Sequence, residues 1–188
     1  GIEECGDCLE FRERPMGYFL EFWDMKKAIF PGSFDPFTIG HHDIVMRALN
    51  LFDEIIIGVG KNYSKRESFP LNERLAAIEQ CFASEPRVKV MAYDGLTVDF
   101  AAEQEAQFIL RGVRSVQDFE YERNIAEANK QLSGIETILL YTRPEYAHIS
   151  STLVRDLHSH NKDITPFLPV KQWNDFSLYL FSYWQSTC

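Results

Sequence analysis

The sequence predicts an α/β protein: a doubly wound, Rossmann-like sheet of five parallel strands with helices on both faces. Three observations predict it. Short β-branched runs alternate five times with stretches whose apolar residues recur at helical spacing, the pattern of right-handed βαβ units. The run Glu54–Gly60, with Ile55, Ile56, Ile57 and Val59, is apolar nearly throughout, as in a parallel strand covered on both faces. The segments rich in Gly, Ser, His and Arg follow the carboxyl ends of the strands, where open α/β sheets bind ligands. With 188 residues and 45% hydrophobic content, the chain suits one domain with a sizeable core.

Ala28–Phe30 is the first expected strand, and it runs into the Gly/Pro-rich turn Pro31-Gly32-Ser33-Phe34-Asp35-Pro36. The turn ends at Gly40-His41, and a helix over Asp43–Phe52 follows, with Ile44, Val45, Ala48, Leu49 and Phe52 on one face. After the second strand, Glu54–Gly60, comes a polar loop, 62–69, that carries Lys65 and Arg66. Pro70 marks the start of a helix over Leu71–Phe82 with Leu75, Ala76, Ala77, Ile78 and Phe82 as core candidates. Val88–Ala92 is the third strand, Asp94-Gly95 turns the chain, and Thr97–Glu105 is a helix with Val98, Phe100 and Ala101 inward. Phe108–Leu110 is the fourth strand, ending at Arg111-Gly112-Val113-Arg114. A helix over Asp118–Leu132, a strand over Thr137–Tyr141, a short helix over Ser151–His158 and a closing turn over Asp163–Pro169 complete the pattern.

Composition narrows the partners. Residues 1–24 hold seven acids (Glu3, Glu4, Asp7, Glu10, Glu13, Glu21, Asp24) against Arg12 and Arg14, so they carry −5 of the net charge of −9. No basic tract is present, which argues against a nucleic-acid partner. A small anion remains open, because a few placed cations suffice for it. No apolar run approaches the roughly 20 residues that span a bilayer, and the acidic start does not read as a signal peptide. Four cysteines (Cys5, Cys8, Cys81, Cys188) suggest no disulfide framework, which fits a cytoplasmic location. Cys5-Gly6-Asp7-Cys8 lacks a second Cys pair and is read as incidental, and Cys81 is expected as a buried small hydrophobe.

The chain thus divides into an acidic extension at 1–24, a central domain at 25–169 and an aromatic tail at 170–188. The tail reads equally as a covering helix, an edge strand, a partner-contact segment or foreign sequence. All three tryptophans (Trp23, Trp173, Trp184) lie outside the central domain.

The chemistry of the strand-end segments is phosphate handling. His41 stands at a helix mouth, where backbone N–H groups and the helix dipole favour an anion. A second helix opens at Ser150-Ser151-Thr152, and Arg111 and Arg114 flank Gly112 at a strand end. No Walker loop and no Gly-x-Ser-x-Gly elbow is present. Each residue also has a bland reading. His41 can cap or pack, and Lys65 and Arg66 are ordinary loop cations of which either could point inward. Glu122 can pair with Arg123 or another helix neighbour. Ser150, Ser151 and Thr152 can be a plain helix cap, Asp35 reads as a turn-former, and His42, His148, His158 and His160 read as support or surface.

Thr38-Ile39-Gly40-His41 and Ile149-Ser150-Ser151-Thr152-Leu153-Val154-Arg155 resemble the two signatures of the nucleotidyltransferase superfamily. With Leu110–Arg114 and Asp118-Phe119-Glu120-Tyr121-Glu122 between them, residues 25–169 resemble the bacterial phosphopantetheine adenylyltransferase family most closely. Thr38, where most of the superfamily has a first His, matches that family. The resemblance implies transfer of the adenylyl group of ATP to 4′-phosphopantetheine with Mg²⁺, without a covalent intermediate. It implies that His41, Lys65 and Arg111 are catalytic. Ser33, Lys65, Thr97 and Arg111 would hold phosphopantetheine. Ser33, Phe34, His41, Gly112, Val113, Arg114, Glu122, Tyr146, Ala147, His148, Ile149, Ser150, Ser151 and Thr152 would contact ATP. No metal-ligating side chain is assigned; Mg²⁺ would ride on the ATP phosphates. A homohexamer, and dephospho-CoA or CoA as product and inhibitor, are further implications. The alternatives are another nucleotidyltransferase, such as one acting on nicotinamide mononucleotide, and a non-catalytic nucleotide-binding module.

Overall fold

A computed structural model describes residues 25–61 and 67–169. The acidic extension, the aromatic tail, three of the cysteines and the Lys65–Arg66 pair lie outside the described residues. The five strands are β1 (Lys27–Gly32), β2 (Glu54–Gly60), β3 (Val88–Tyr93), β4 (Phe108–Val113) and β5 (Glu136–Tyr141). They form one sheet in the order β3-β2-β1-β4-β5, and every neighbouring pair is parallel. The helices are α1 (Ile39–Ala48), α2 (Leu71–Cys81), α3 (Thr97–Glu103), α4 (Val116–Ser133) and α5 (Ser151–Ser159).

Strand alternation divides the core. On one face Ala28, Phe30, Ile55, Ile57, Val59 and Leu110 pack with Ile44, Val45, Ala48 and Leu49 of α1 and Ile78 of α2. On the other face Ile29, Ile56 and Ile109 pack with Val98, Phe100 and Ala101 of α3. Helix α4 lies beside α3 and contacts β4 and β5. The expected doubly wound sheet with helices on both faces is what the chain forms.

Four local expectations change. The first helix starts at Ile39, four residues before Asp43, because Thr38 has the extended backbone of an N-cap residue. His41 is therefore the third residue of the helix rather than the end of the turn ahead of it. Strand β4 runs on through Arg111, Gly112 and Val113, since Val113 still pairs with Tyr141 of β5. In α2, Ala76 is exposed and Arg74 is buried, so the inward stripe is Arg74, Ala77 and Ile78. Cys81 is half-buried, its thiol 3.1 Å from the Ala77 carbonyl.

Candidate active site

The sheet splays at its topological switch point. Strands β1 and β4 pair only at Ala28–Phe108 and Ile29–Ile109, while β1 runs on to Gly32 and β4 to Val113. A crevice at the carboxyl ends of strands that diverge in this way is where open α/β sheets take ligands. Arg111, past the last β4 residue that pairs with β1, crosses the gap and donates from Nη1 to the Pro31 carbonyl of β1.

His41 lies on the β1 side of this crevice. Its ring is surrounded by Phe30, Phe34 and Phe37, with ring centroids 6.3, 5.2 and 5.4 Å away. The Thr38 backbone N–H donates to His41 Nδ1 at 3.0 Å, and the Thr38 hydroxyl is 3.1 Å from the same nitrogen. A backbone N–H is only a donor, so Nδ1 is the unprotonated nitrogen and Nε2 carries the hydrogen. Burial, then the positive charges of Arg114 and Arg111, lower the His41 pKa from 6.5 to about 3. The imidazole is thus a neutral, preoriented Nε2–H donor at neutral pH.

The two arginines after the splay are each held by a carboxylate from α4. Arg111 donates from Nε to Glu122 Oε2 at 2.7 Å and from Nη2 to Oε1 at 2.6 Å. Glu122 is buried and Arg111 half-buried, so this fork is only partly open to water. Desolvation alone would lower the Arg111 pKa, but hydrogen bonding and charge from Glu122 carry it above its ordinary value. Among the described residues Arg111 uses three of its five N–H donors, which leaves two for an anion. Arg114 is exposed and donates from Nε to Asp118 Oδ2 at 2.8 Å. Ser115 caps α4 by accepting from the Asp118 N–H at 3.2 Å, which sets the carboxylates of α4 facing the end of β4.

Helix α5 closes the third side. Ser150 is its N-cap and accepts from the Leu153 N–H at 3.1 Å. Ser151 Oγ donates to the Pro36 carbonyl at 2.8 Å, and Arg155 Nη1 donates to the Asp35 carbonyl at 2.6 Å. The second signature is therefore bonded to the turn that leads into the first, more than 110 residues away. Two helix N-termini, those of α1 and α5, face the same turn. Among the described residues no three His, Cys, Asp or Glu side chains converge as metal ligands.

The sequence profile described as cytidylyltransferase-like matches residues 29–157 of this chain. The phosphopantetheine adenylyltransferase of Phocaeicola vulgatus is 60% identical over 145 residues, 77% of this chain and 96% of that protein. That of Bacteroides thetaiotaomicron is 58% identical over the same length and shares. The chain belongs to the phosphopantetheine adenylyltransferase family, within the nucleotidyltransferases. Among solved structures, a bifunctional NMN adenylyltransferase/ADP ribose pyrophosphatase of Francisella tularensis, complexed with AMP and a Mn ion, shares the fold. Its TM-score is 0.57 at 15% identity, over 79% of this chain and 46% of that one.

For a member of this family, most of the sequence-predicted site residues converge. Ser33, His41, Arg111, Arg114, Glu122 and the 146–152 segment all border the β1/β4 crevice or the turn beside it. Thr97 starts α3, and its hydroxyl is 3.1 Å from the Tyr93 hydroxyl of β3, a side chain near enough to Arg111 to act on its charge. Phe34, Val113 and Ile149 have buried side chains, so they can offer a ligand only backbone atoms. Gly112 lies against α1: a Cβ there would come within 3.2 Å of Ile44 Cγ1. Tyr146 and Ala147 are half-buried, while His148 and Thr152 are exposed. Glu122 is paired with Arg111 and not with Arg123, because α4 turns Glu122 toward the sheet.

Asp35, read from the sequence as a turn-former, and Arg74, which the sequence reading passes over, complete the turn. Asp35 is buried and accepts from the Ser68 and Phe69 N–H groups, each at 2.9 Å. Arg74 is buried and bonds the Ser33 carbonyl. The signal for Arg74 was a cation on an apolar stripe, three residues after Leu71 and four before Ile78.

Proposed function

We infer that this protein transfers the adenylyl group of ATP to 4′-phosphopantetheine, giving dephospho-CoA and pyrophosphate. One observation carries the reading: the His41 turn, Arg111 and the capped start of α5 meet at one crevice of a chain 60% identical to a phosphopantetheine adenylyltransferase. In the proposed step, an acceptor phosphate oxygen attacks the α-phosphorus of ATP. The bond from that phosphorus to its bridging oxygen breaks, and the electron pair leaves with pyrophosphate. The nucleophile is already an anion, so no general base is needed and no covalent enzyme intermediate forms. Catalysis is then positioning and charge stabilisation.

His41 supplies a neutral Nε2–H to the α-phosphate as charge builds on its oxygens. Arg111 and Lys65 hold the acceptor phosphate, and Thr97 lies along the pantetheine arm. Ser33 and Phe34 border both ligands. Arg114, Glu122, the backbone of Gly112 and Val113, and Tyr146 to Thr152 form the ATP side. Mg²⁺ belongs to the ATP phosphates in this reading, in keeping with the few protein contacts Mg²⁺ usually takes. No step is assigned to a protein-held metal.

The same reading includes a homohexamer in the cytoplasm, with CoA as a product-like inhibitor. Exposed Val116, Tyr121 and Leu132 of α4 and Tyr141 of β5, each 65–74% accessible, support assembly through that side. No described helix is long and apolar enough to cross a membrane. The deciding experiment is pyrophosphate release from ATP with each candidate acceptor. Turnover with 4′-phosphopantetheine is expected. Turnover with nicotinamide mononucleotide and none with 4′-phosphopantetheine overturns the reading.

A further inference from the structure

The turn Ser33–Pro36 has an unusual backbone. Phe34 has φ of +46°, a left-handed conformation that a bulky residue adopts only when its surroundings impose it. Its ring is fixed by Phe30 and Phe37 at centroid distances of 5.3 and 5.2 Å. Room for the ring depends on Gly32, where an added Cβ would lie 2.8 Å from Phe34 Cζ. Packing holds the side chain, and a buried cation holds the peptide. Arg74, 3% exposed, donates from Nη1 to the Ser33 carbonyl, from Nε to the Phe69 carbonyl at 3.0 Å, and from Nη2 to Glu67.

A trans peptide points its C=O and N–H in opposite directions. The Ser33–Phe34 peptide is trans, since the one cis bond among the described residues is Asp35–Pro36. With Ser33 C=O turned inward onto Arg74, Phe34 N–H is turned the other way. No hydrogen bond from Phe34 N–H is made among the described residues. The neighbouring carbonyls are tied down in the same manner, Asp35 by Arg155 and Pro36 by Ser151.

We propose that Arg74 is a positioning residue: by gripping the Ser33 carbonyl, it aims the Phe34 N–H at the phosphate held beside His41. Arg74 touches no substrate and acts through this one peptide. Its three-way fork suits the task, because a lysine ammonium cannot grip three acceptors in a plane. The inference rests on the adenylyltransferase reading. An N–H that points at the transferring phosphate matters most as charge develops, so loss of Arg74 lowers kcat more than it raises KM.

The test has two arms. In the first, R74K keeps the charge and removes the fork. Its kcat, normalised to ATP-binding sites so that unfolded protein is not counted, falls about 10- to 100-fold. KM for ATP stays within about threefold. A kcat per site within about twofold of the unsubstituted protein overturns the proposal. The second arm uses the unsubstituted protein and does not depend on a variant folding. Labelling Ser with ¹³C at the carbonyl and Phe with ¹⁵N selects only Ser33–Phe34 and Ser68–Phe69, the two Ser-Phe steps in the chain. ATP shifts the Phe34 amide resonance and slows its exchange, while Phe69, already bonded to Asp35, serves as the internal reference. A Phe34 resonance unmoved by saturating ATP overturns the proposal. An unsubstituted protein with no turnover of 4′-phosphopantetheine defeats the parent reading instead, so the two failures are distinguishable.

Discussion

The Thr38 backbone N–H donates to His41 Nδ1 at 3.0 Å, and this bond decides what the imidazole can offer a phosphate. It fixes the ring's orientation and tautomer together, leaving Nε2–H as the donor. Surrounding aromatic rings and two nearby guanidinium groups keep the ring uncharged. A neutral donor adds no charge that would hold pyrophosphate tightly after the reaction. It gains strength as negative charge accumulates on the α-phosphate, which is the condition for lowering a barrier rather than for binding. H41A is therefore expected to keep ATP affinity within a few-fold and to lose about 10²–10³ in kcat. Steady-state pyrophosphate release and equilibrium ATP titration measure the two quantities. Unchanged kcat would sink the assigned role.

The burial of His41 beside two arginines has a consequence for stability. The unfolded chain's His41 takes up a proton as pH falls through 6.5, whereas the folded one resists until about pH 3. Between those values the unfolded state binds more protons, so acidification lowers stability, by up to about 1.4 kcal/mol per pH unit from this residue. Above pH 6.5 the contribution is pH-independent. Urea unfolding of the native chain and of H41N at pH 4.5, 5.5 and 7.5 checks it. The native chain is expected to lose stability more steeply on acidification than H41N. Parallel curves would refute the assignment.

Much of this arrangement was legible in the chain, for physical reasons. Strand alternation and the apolar run Ile55–Val59 are repeated patterns, so a five-stranded parallel sheet covered on both faces follows from them, while the order β3-β2-β1-β4-β5 does not. The convergence of strand-end segments followed from the topology of parallel sheets. What stayed hidden depends on which way one side chain points. Glu122 has basic neighbours in sequence, but burial and the end of β4 decide its partner. Arg74 looks like a surface cation until α2 turns it toward the Ser33 carbonyl. The four-residue error at the start of α1 arose because Gly40 and His41 read as the end of a turn, whereas Thr38 caps a helix that already contains them.

The Arg111–Glu122 fork predicts a split between two variants. In E122Q one carboxylate charge is lost, and Arg111 keeps at most a neutral acceptor in a partly buried place. Hydrogen bonds to charged groups contribute about 1.5–3 kcal/mol, so E122Q is expected to lose about 2 kcal/mol of stability by urea unfolding. R111K keeps a positive charge but cannot make the bidentate pair and still reach the Pro31 carbonyl. It is expected to raise the KM for 4′-phosphopantetheine more than the KM for ATP. Equal rises in both would remove Arg111 from the acceptor side.

Ser151 tests whether the α5 contact with the turn serves the site or only the fold. Its hydroxyl donates to the Pro36 carbonyl at 2.8 Å, while the neighbouring Ser150 caps the helix. S150A removes a cap and is expected to cost about 1 kcal/mol of stability. S151A leaves the cap intact and frees the Pro36 carbonyl, so its cost to stability is about 1 kcal/mol or less. If α5 positions the nucleotide through that carbonyl, S151A raises the KM for ATP more than S150A does at equal stability loss. Thermal unfolding and ATP titration of both variants decide the matter. An ATP affinity that simply tracks stability across the pair would assign the Ser151 bond to folding alone.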